Sequence, residues 1–91
     1  MKYWKNLDEL FENQKGKCAY SGREMQLGQD AELDHIIPKT RGGKTELNNL
    51  QWTIKVVNRL KKNSLEHEFF ENLKELIDIL QDVLIISKIK Y

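Results

Sequence analysis

The order of apolar and polar residues divides the chain into a short helix, a punctuated loop, two brief strands joined by a basic loop, and two further helices. Leu7, Leu10 and Phe11 form an apolar stripe at helical spacing, with Asn6 in position to cap it and Glu9 three residues on, as in a capping box. Gly16 is expected to end this helix. From Lys17 to Asp30 the pattern breaks up. Ser21-Gly22 and Gly28-Gln29-Asp30 are turn signals around Met25-Gln26-Leu27, which predicts a loop or a short hairpin.

Ala31 to Ile37 alternates and then turns apolar before Pro38, whose ring favours an extended Ile37. This predicts a strand that carries Leu33 inward and ends near Asp34-His35. Lys39-Thr40-Arg41-Gly42-Gly43-Lys44 is a basic glycine loop, and Leu50-Gln51-Trp52-Thr53 fits a second strand. Ile54, Val57 and Leu60 then recur with helical spacing, and Asn63-Ser64 are expected to stop that helix and cap the next. The last helix, about 65–86, has Glu66 and Glu68 in its first turn, where acids suit the helix dipole. Phe69, Leu73, Leu76, Ile77, Leu80, Val83 and Leu84 make a broad stripe expected to wrap onto the core. Ile79, Ile86 and Ile89 lie partly outside that stripe, which leaves this helix as a candidate face for a homodimer or a protein partner.

Length adds that 91 residues suffice for a single domain, 1–91, with a modest core. Hydrophobic residues at 40% and charged residues at 32% fit a globular chain rather than a disordered one. No run approaches the roughly 20 apolar residues that span a bilayer, and the first residues lack the apolar stretch of a signal peptide. A cytoplasmic location with no membrane partner is therefore expected. The single Cys18 can form no intrachain disulfide and reads as a small buried apolar residue. Trp52, Tyr3 and Trp4 are assigned to packing, and His67 to the surface.

The net charge of +1 hides a segregation. Residues 35–62 carry Lys39, Arg41, Lys44, Lys55, Arg59, Lys61 and Lys62 against Glu46 alone, a net +6. Residues 64–82 carry Lys74 against Glu66, Glu68, Glu71, Glu75, Asp78 and Asp82, a net −5. Clustered positive charge suits a phosphate-binding surface, and the acidic segment is expected to point away from it.

The segment from Asp34 to Lys62 contains one acid beside one histidine, Asp34-His35, followed by Asn49 and Asn58 at 14 and 23 residues from His35. These types suit phosphodiester hydrolysis. Neutral imidazole, with an unperturbed pKa of about 6.5, can take a proton from water at physiological pH. The displaced alkoxide needs positive charge, which a divalent cation supplies, and Asp34 offers that cation a carboxylate. Neighbours on a regular strand face opposite ways, so the pair is expected to straddle a bend near Ile36-Ile37-Pro38.

Glu32-Leu33-Asp34-His35-Ile36-Ile37-Pro38, Arg41-Gly42-Gly43, Asn49-Leu50-Gln51 and Val57-Asn58-Arg59-Leu60-Lys61 follow in order over about a third of the chain, and together resemble the HNH endonuclease family in its His-Asn-Asn form. Gly16-Lys17-Cys18-Ala19-Tyr20-Ser21-Gly22 resembles the segment that precedes this motif in many members. The resemblance implies an α+β fold, a ββα-metal motif of two short antiparallel strands and a helix over about 31–62, flanked by an N-terminal helix and a longer C-terminal one. It implies His35 as general base, Asp34 and Asn58 as metal ligands, and Asn49 tying the loop and helping to orient the His35 ring. It implies DNA as the partner, cut to a 5′-phosphate and a 3′-hydroxyl.

Two departures refine this. The third family position is often histidine, and Asn58 there suits one hard cation, Mg²⁺ or Mn²⁺, better than zinc or nickel. Many relatives also hold a structural zinc with two Cys-x-x-Cys pairs, whose positions here are Cys18, Ser21, Ile54 and Val57, so no structural zinc is expected. Arg41, Lys44, Arg59 and Lys62 are candidate phosphate contacts, with the loop glycines allowing close backbone approach. The rival readings are a nucleic-acid-binding module without chemistry and an interaction subunit of a larger DNA-processing assembly.

Overall fold

The computed structural model describes residues 2–90, with side chains described from 6 to 85. Helix α1 spans Lys2–Asn13, strand β1 Ala31–His35, strand β2 Leu50–Ile54, helix α2 Lys55–Lys61 and helix α3 Glu66–Lys90. The two strands form one antiparallel pair, and the fold is α+β. None of the helices among the described residues is long and apolar enough to cross a membrane.

Helix α1 begins earlier than its apolar stripe suggests, so Asn6 lies within it rather than at its cap. Its end is a two-bond clasp in which Gly16 N–H donates to Phe11 O at 3.1 Å and Lys15 N–H to Glu12 O at 2.8 Å. The expected packing of Tyr3 and Trp4, like the positions of Ile86 and Ile89, lies outside the described side chains. Residues 17–30 form turns closed by a single bridge between Lys17 and Glu24.

Register fixes which side chains share a face. Ala31 pairs with Ile54, Glu32 with Thr53, Leu33 with Trp52, Asp34 with Gln51 and His35 with Leu50. One face therefore carries Glu32, Asp34, Gln51 and Thr53, and the other Ala31, Leu33, His35, Leu50, Trp52 and Ile54. Helix α1 covers the second face, with Trp52 Nε1 donating to Leu7 O at 2.9 Å and the Phe11 ring meeting Trp52 edge-on at 5.8 Å. The Gln14 amide completes the free edge of β2: it accepts from Trp52 N–H at 2.8 Å and donates to Trp52 O at 2.9 Å.

Helix α2 covers the first face, which corrects the expected inward Leu33. Asp34 is the buried residue of β1 and Leu33 only half-buried. The cause is charge pairing: Lys61 on α2 reaches Asp34, so an ion pair is enclosed within the motif. Leu7, Cys18, Met25, Leu50 and Phe69 are the buried apolar residues.

Helix α3 also departs from expectation. Phe69 is buried, its ring edge-on to Tyr20 at 5.4 Å, and Leu73 is half-buried. Leu76, Ile77, Ile79, Leu80, Val83, Leu84 and Ile85 are all exposed. A two-stranded hairpin is short, whereas 25 residues of helix run roughly 37 Å, so the stripe passes beyond the surface that its first turns cover. Ser64 is not the cap. Glu68 closes the first turn by accepting the Leu65 N–H at 2.9 Å.

Candidate active site

Where β1 ends and α2 runs back past it, Leu33, Asp34, His35, Pro38, Lys39, Asn58, Lys62 and Asn63 line a cleft of about 240 Å³. Asp34 and His35 lie on opposite faces of the strand, yet both reach this cleft because it opens at the strand end. Asn58 reaches it from α2, so Asp34, His35 and Asn58 are brought together.

Asp34 is 4% exposed and both its oxygens are engaged. Lys61 Nζ donates to Oδ1 at 3.0 Å, and Gln51 Nε2 donates to Oδ2 at 2.9 Å. The same ammonium donates to His35 O at 2.9 Å and to Ile36 O at 3.4 Å, which pins the strand end just where the chain leaves β1. Asn58 Nδ2 donates to Glu32 Oε2 at 2.9 Å, which leaves its amide oxygen as the remaining acceptor. Two alternate residues of β1, Glu32 and Asp34, thus meet two residues one turn apart on α2, Asn58 and Lys61.

His35 Nε2 lies 2.9 Å from Thr45 Oγ1. Asn49 works on the loop instead. Its Oδ1 accepts from Ile37 N–H at 2.9 Å, and its Nδ2 donates to Ile37 O at 3.1 Å and Lys44 O at 2.9 Å. Its backbone carbonyl accepts from Ile36 N–H at 2.9 Å. The partner of the His35 ring is therefore Thr45, four residues upstream of the expected Asn49. Gly43 is packed against the same loop, where a Cβ would stand 1.7 Å from Ile37 O and 3.0 Å from Asn49 Nδ2. The close approach at this glycine is to the chain itself, not to an incoming phosphate. Gly42, at φ +89°, turns the chain out of the short 3₁₀ turn Lys39–Arg41.

The four expected phosphate contacts are dispersed. Lys62 lines the cleft, as does Lys39. Lys44 borders a hollow beside Gly43 and Asn49, and Arg59 is exposed on α2. Arg41 is ion-paired with Glu68 of α3, so the acidic helix does not simply point away from the basic loop. The Leu65 backbone N–H, with the Arg41 guanidinium beside it, holds the Glu68 carboxyl below its ordinary range. Burial pushes the Tyr20 hydroxyl well above its usual value, and it donates to Glu66 at 3.1 Å.

Around Cys18, burial raises the thiol pKa, but hydrogen bonds from Ser21 and the backbones of Ile54 and Tyr20 outweigh it, and the net value is lowered. Ile54 and Val57, far along the chain from Cys18, are half-buried.

Glu32, Thr45, Gln51 and Lys61 are the residues that sequence reading left out of the site. Two of them carried a signal. Glu32 is two before Asp34 on a strand, and Lys61 three after Asn58 on a helix, so each shares a face with a candidate ligand. Among the described residues, no three His, Cys, Asp or Glu side chains gather into a metal-binding group. Residues 18–67, the span that holds Asp34, His35, Asn49 and Asn58, match a family model described as HNH endonuclease.

Proposed function

Because this chain belongs to the HNH endonuclease family, we propose that it hydrolyses DNA phosphodiester bonds with His35 as general base and one divalent cation, Mg²⁺ or Mn²⁺, held by Asp34 and Asn58. The observation that carries this reading is the convergence of Asp34, His35 and Asn58 on one cleft. HNH enzymes typically use a divalent metal, and the donor set here suits a hard one. A carboxylate has about four acceptor sites, of which Lys61 and Gln51 take two. The Asn58 amide oxygen adds a neutral donor. With few protein ligands, such an ion keeps much of its water shell. When bound it supplies Lewis-acid charge to the phosphoryl oxygens and the leaving alkoxide.

The chain's own residues do the rest. With its Nε2 proton donated to Thr45 Oγ1, 2.9 Å away, His35 would present Nδ1 as the basic nitrogen that takes the proton of the attacking water. Asn49 fixes the loop that carries Thr45 and Lys44. Lys39 and Lys62, at the cleft, hold the scissile phosphate by charge.

Incubating supercoiled plasmid with Mg²⁺ or Mn²⁺ tests this. Metal-dependent nicking that is lost on chelation and in His35→Ala is expected, and intact DNA with the pure wild-type chain sinks the reading. The Lys61–Asp34 pair favours one alternative, a DNA-binding module without chemistry, since it neutralises the carboxylate internally. That reading predicts salt-sensitive DNA binding indifferent to chelator and accompanied by no cleavage.

A further inference from the structure

Lys61 and Thr53 are the largest side chains enclosed to below 2% exposure, so the centre of this motif is occupied by an ammonium. Removing a lysine from water is costly unless the charge is paired and its protons are accepted. Here all three protons find oxygen: Asp34 Oδ1 at 3.0 Å, His35 O at 2.9 Å and Ile36 O at 3.4 Å. Asp34 in turn has its charge balanced within the fold before any ion arrives.

We infer that Lys61 is a resident counter-cation of the metal site, which a divalent ion must share Asp34 with, so that Lys61 holds divalent affinity down and yields Asp34 Oδ1 when the ion binds. The inference rests on the reading of Asp34 as a metal ligand. Two positive charges on one enclosed carboxylate repel far more strongly than they would in water. Lys61 has somewhere to stay as the carboxylate is taken over, because the carbonyls of His35 and Ile36 still accept from it. The strand end that carries His35 therefore remains pinned while Asp34 changes partners. Lys61 is in this sense a positioning residue for His35 and an electrostatic competitor at Asp34.

A purely structural lysine predicts the opposite sign. If Lys61 only braced the strand end, removing its charge would loosen Asp34 and weaken metal binding. Competition predicts tighter binding.

Titration calorimetry with Mn²⁺ on wild type, Lys61→Gln and Lys61→Arg separates the two. Glutamine keeps a donor without the charge, and arginine keeps the charge. The Lys61→Gln chain is expected to bind Mn²⁺ about tenfold more tightly than wild type, and Lys61→Arg within about threefold of it. Equal or weaker binding by Lys61→Gln overturns the inference while leaving Asp34 as a ligand intact. Absence of Mn²⁺ binding in every chain, wild type included, overturns both. Should Lys61→Gln fail to fold, the wild-type chain suffices: the ¹⁵Nζ resonance of Lys61 is expected to move during a Mg²⁺ titration, and a resonance unmoved at saturation overturns the inference.

Discussion

His35 and Thr45, ten residues apart in sequence, are in hydrogen-bond contact through Nε2 and Oγ1 at 2.9 Å. In the proposed mechanism this hydroxyl accepts from Nε2–H, which leaves Nδ1 unprotonated, the form a general base requires. Thr45 is exposed, so its replacement should not disturb folding. Thr45→Val is expected to lower kcat for DNA cleavage roughly tenfold with little change in KM, and Thr45→Ser to restore most of it. A Thr45→Val chain with unchanged kcat would remove Thr45 from the mechanism.

Gly43 is where the loop closes on the strand end. Any Cβ there would overlap the Ile37 carbonyl, and backbone atoms cannot give way as a flexible side-chain tip can. Gly43→Ala should therefore break the Asn49 bonds to Ile37 and cost about 3 kcal/mol or more in urea unfolding. A loss under about 1 kcal/mol would mean that the loop closes differently.

Thr53 carries the one enclosed side-chain oxygen without a hydrogen-bond partner among the described residues. Leaving a hydroxyl unsatisfied costs free energy that an apolar group of the same shape does not incur. Thr53→Val is expected to raise stability by about 1 kcal/mol by chemical denaturation. Destabilisation would show that the hydroxyl is served by something else, such as an ordered water.

Glu68 accepts from Leu65 N–H and pairs with Arg41. Its folded pKa lies below the ordinary 4.5, so its contribution is present at and above that pH. The contribution fades as pH falls through the lower folded value. Melting temperatures of wild type and Glu68→Gln should thus differ above about pH 5 and converge toward pH 3. The substitution also frees Arg41. If Arg41 is a phosphate contact, Glu68→Gln should bind DNA more tightly, with a salt dependence steeper by about one ion. An unchanged slope would assign Arg41 to structure alone.

Local pattern was enough to read much of the architecture. The strand ending at His35, the turn into the Lys39–Lys44 loop, the second strand and the helix carrying Asn58 depend on alternation, turn residues and helical spacing, all of which act over a few residues. The ordered spacing of Asp34, His35, Asn49 and Asn58 pointed to one site, and the structure draws Asp34, His35 and Asn58 to one cleft.

What the tertiary structure alone decided is the set of partners that each of these residues meets. Pattern reading treats lysine as surface and leucine as core, so it placed Leu33 inward and counted Lys61 with the basic, phosphate-binding surface. The fold buries Asp34 and Lys61 together because a charge pair with three accepting oxygens can be enclosed where either charge alone could not. Glu32 with Asn58, Thr45 with His35 and Arg41 with Glu68 are likewise separated by 26, 10 and 27 residues. Apart from Glu32, which shares a strand face with Asp34, nothing local in the sequence distinguishes these partners from neighbouring polar residues. The apolar stripe of α3 was legible from its spacing, but not that the hairpin would cover only its first turns, since the extent of a packing surface is a property of the assembled fold.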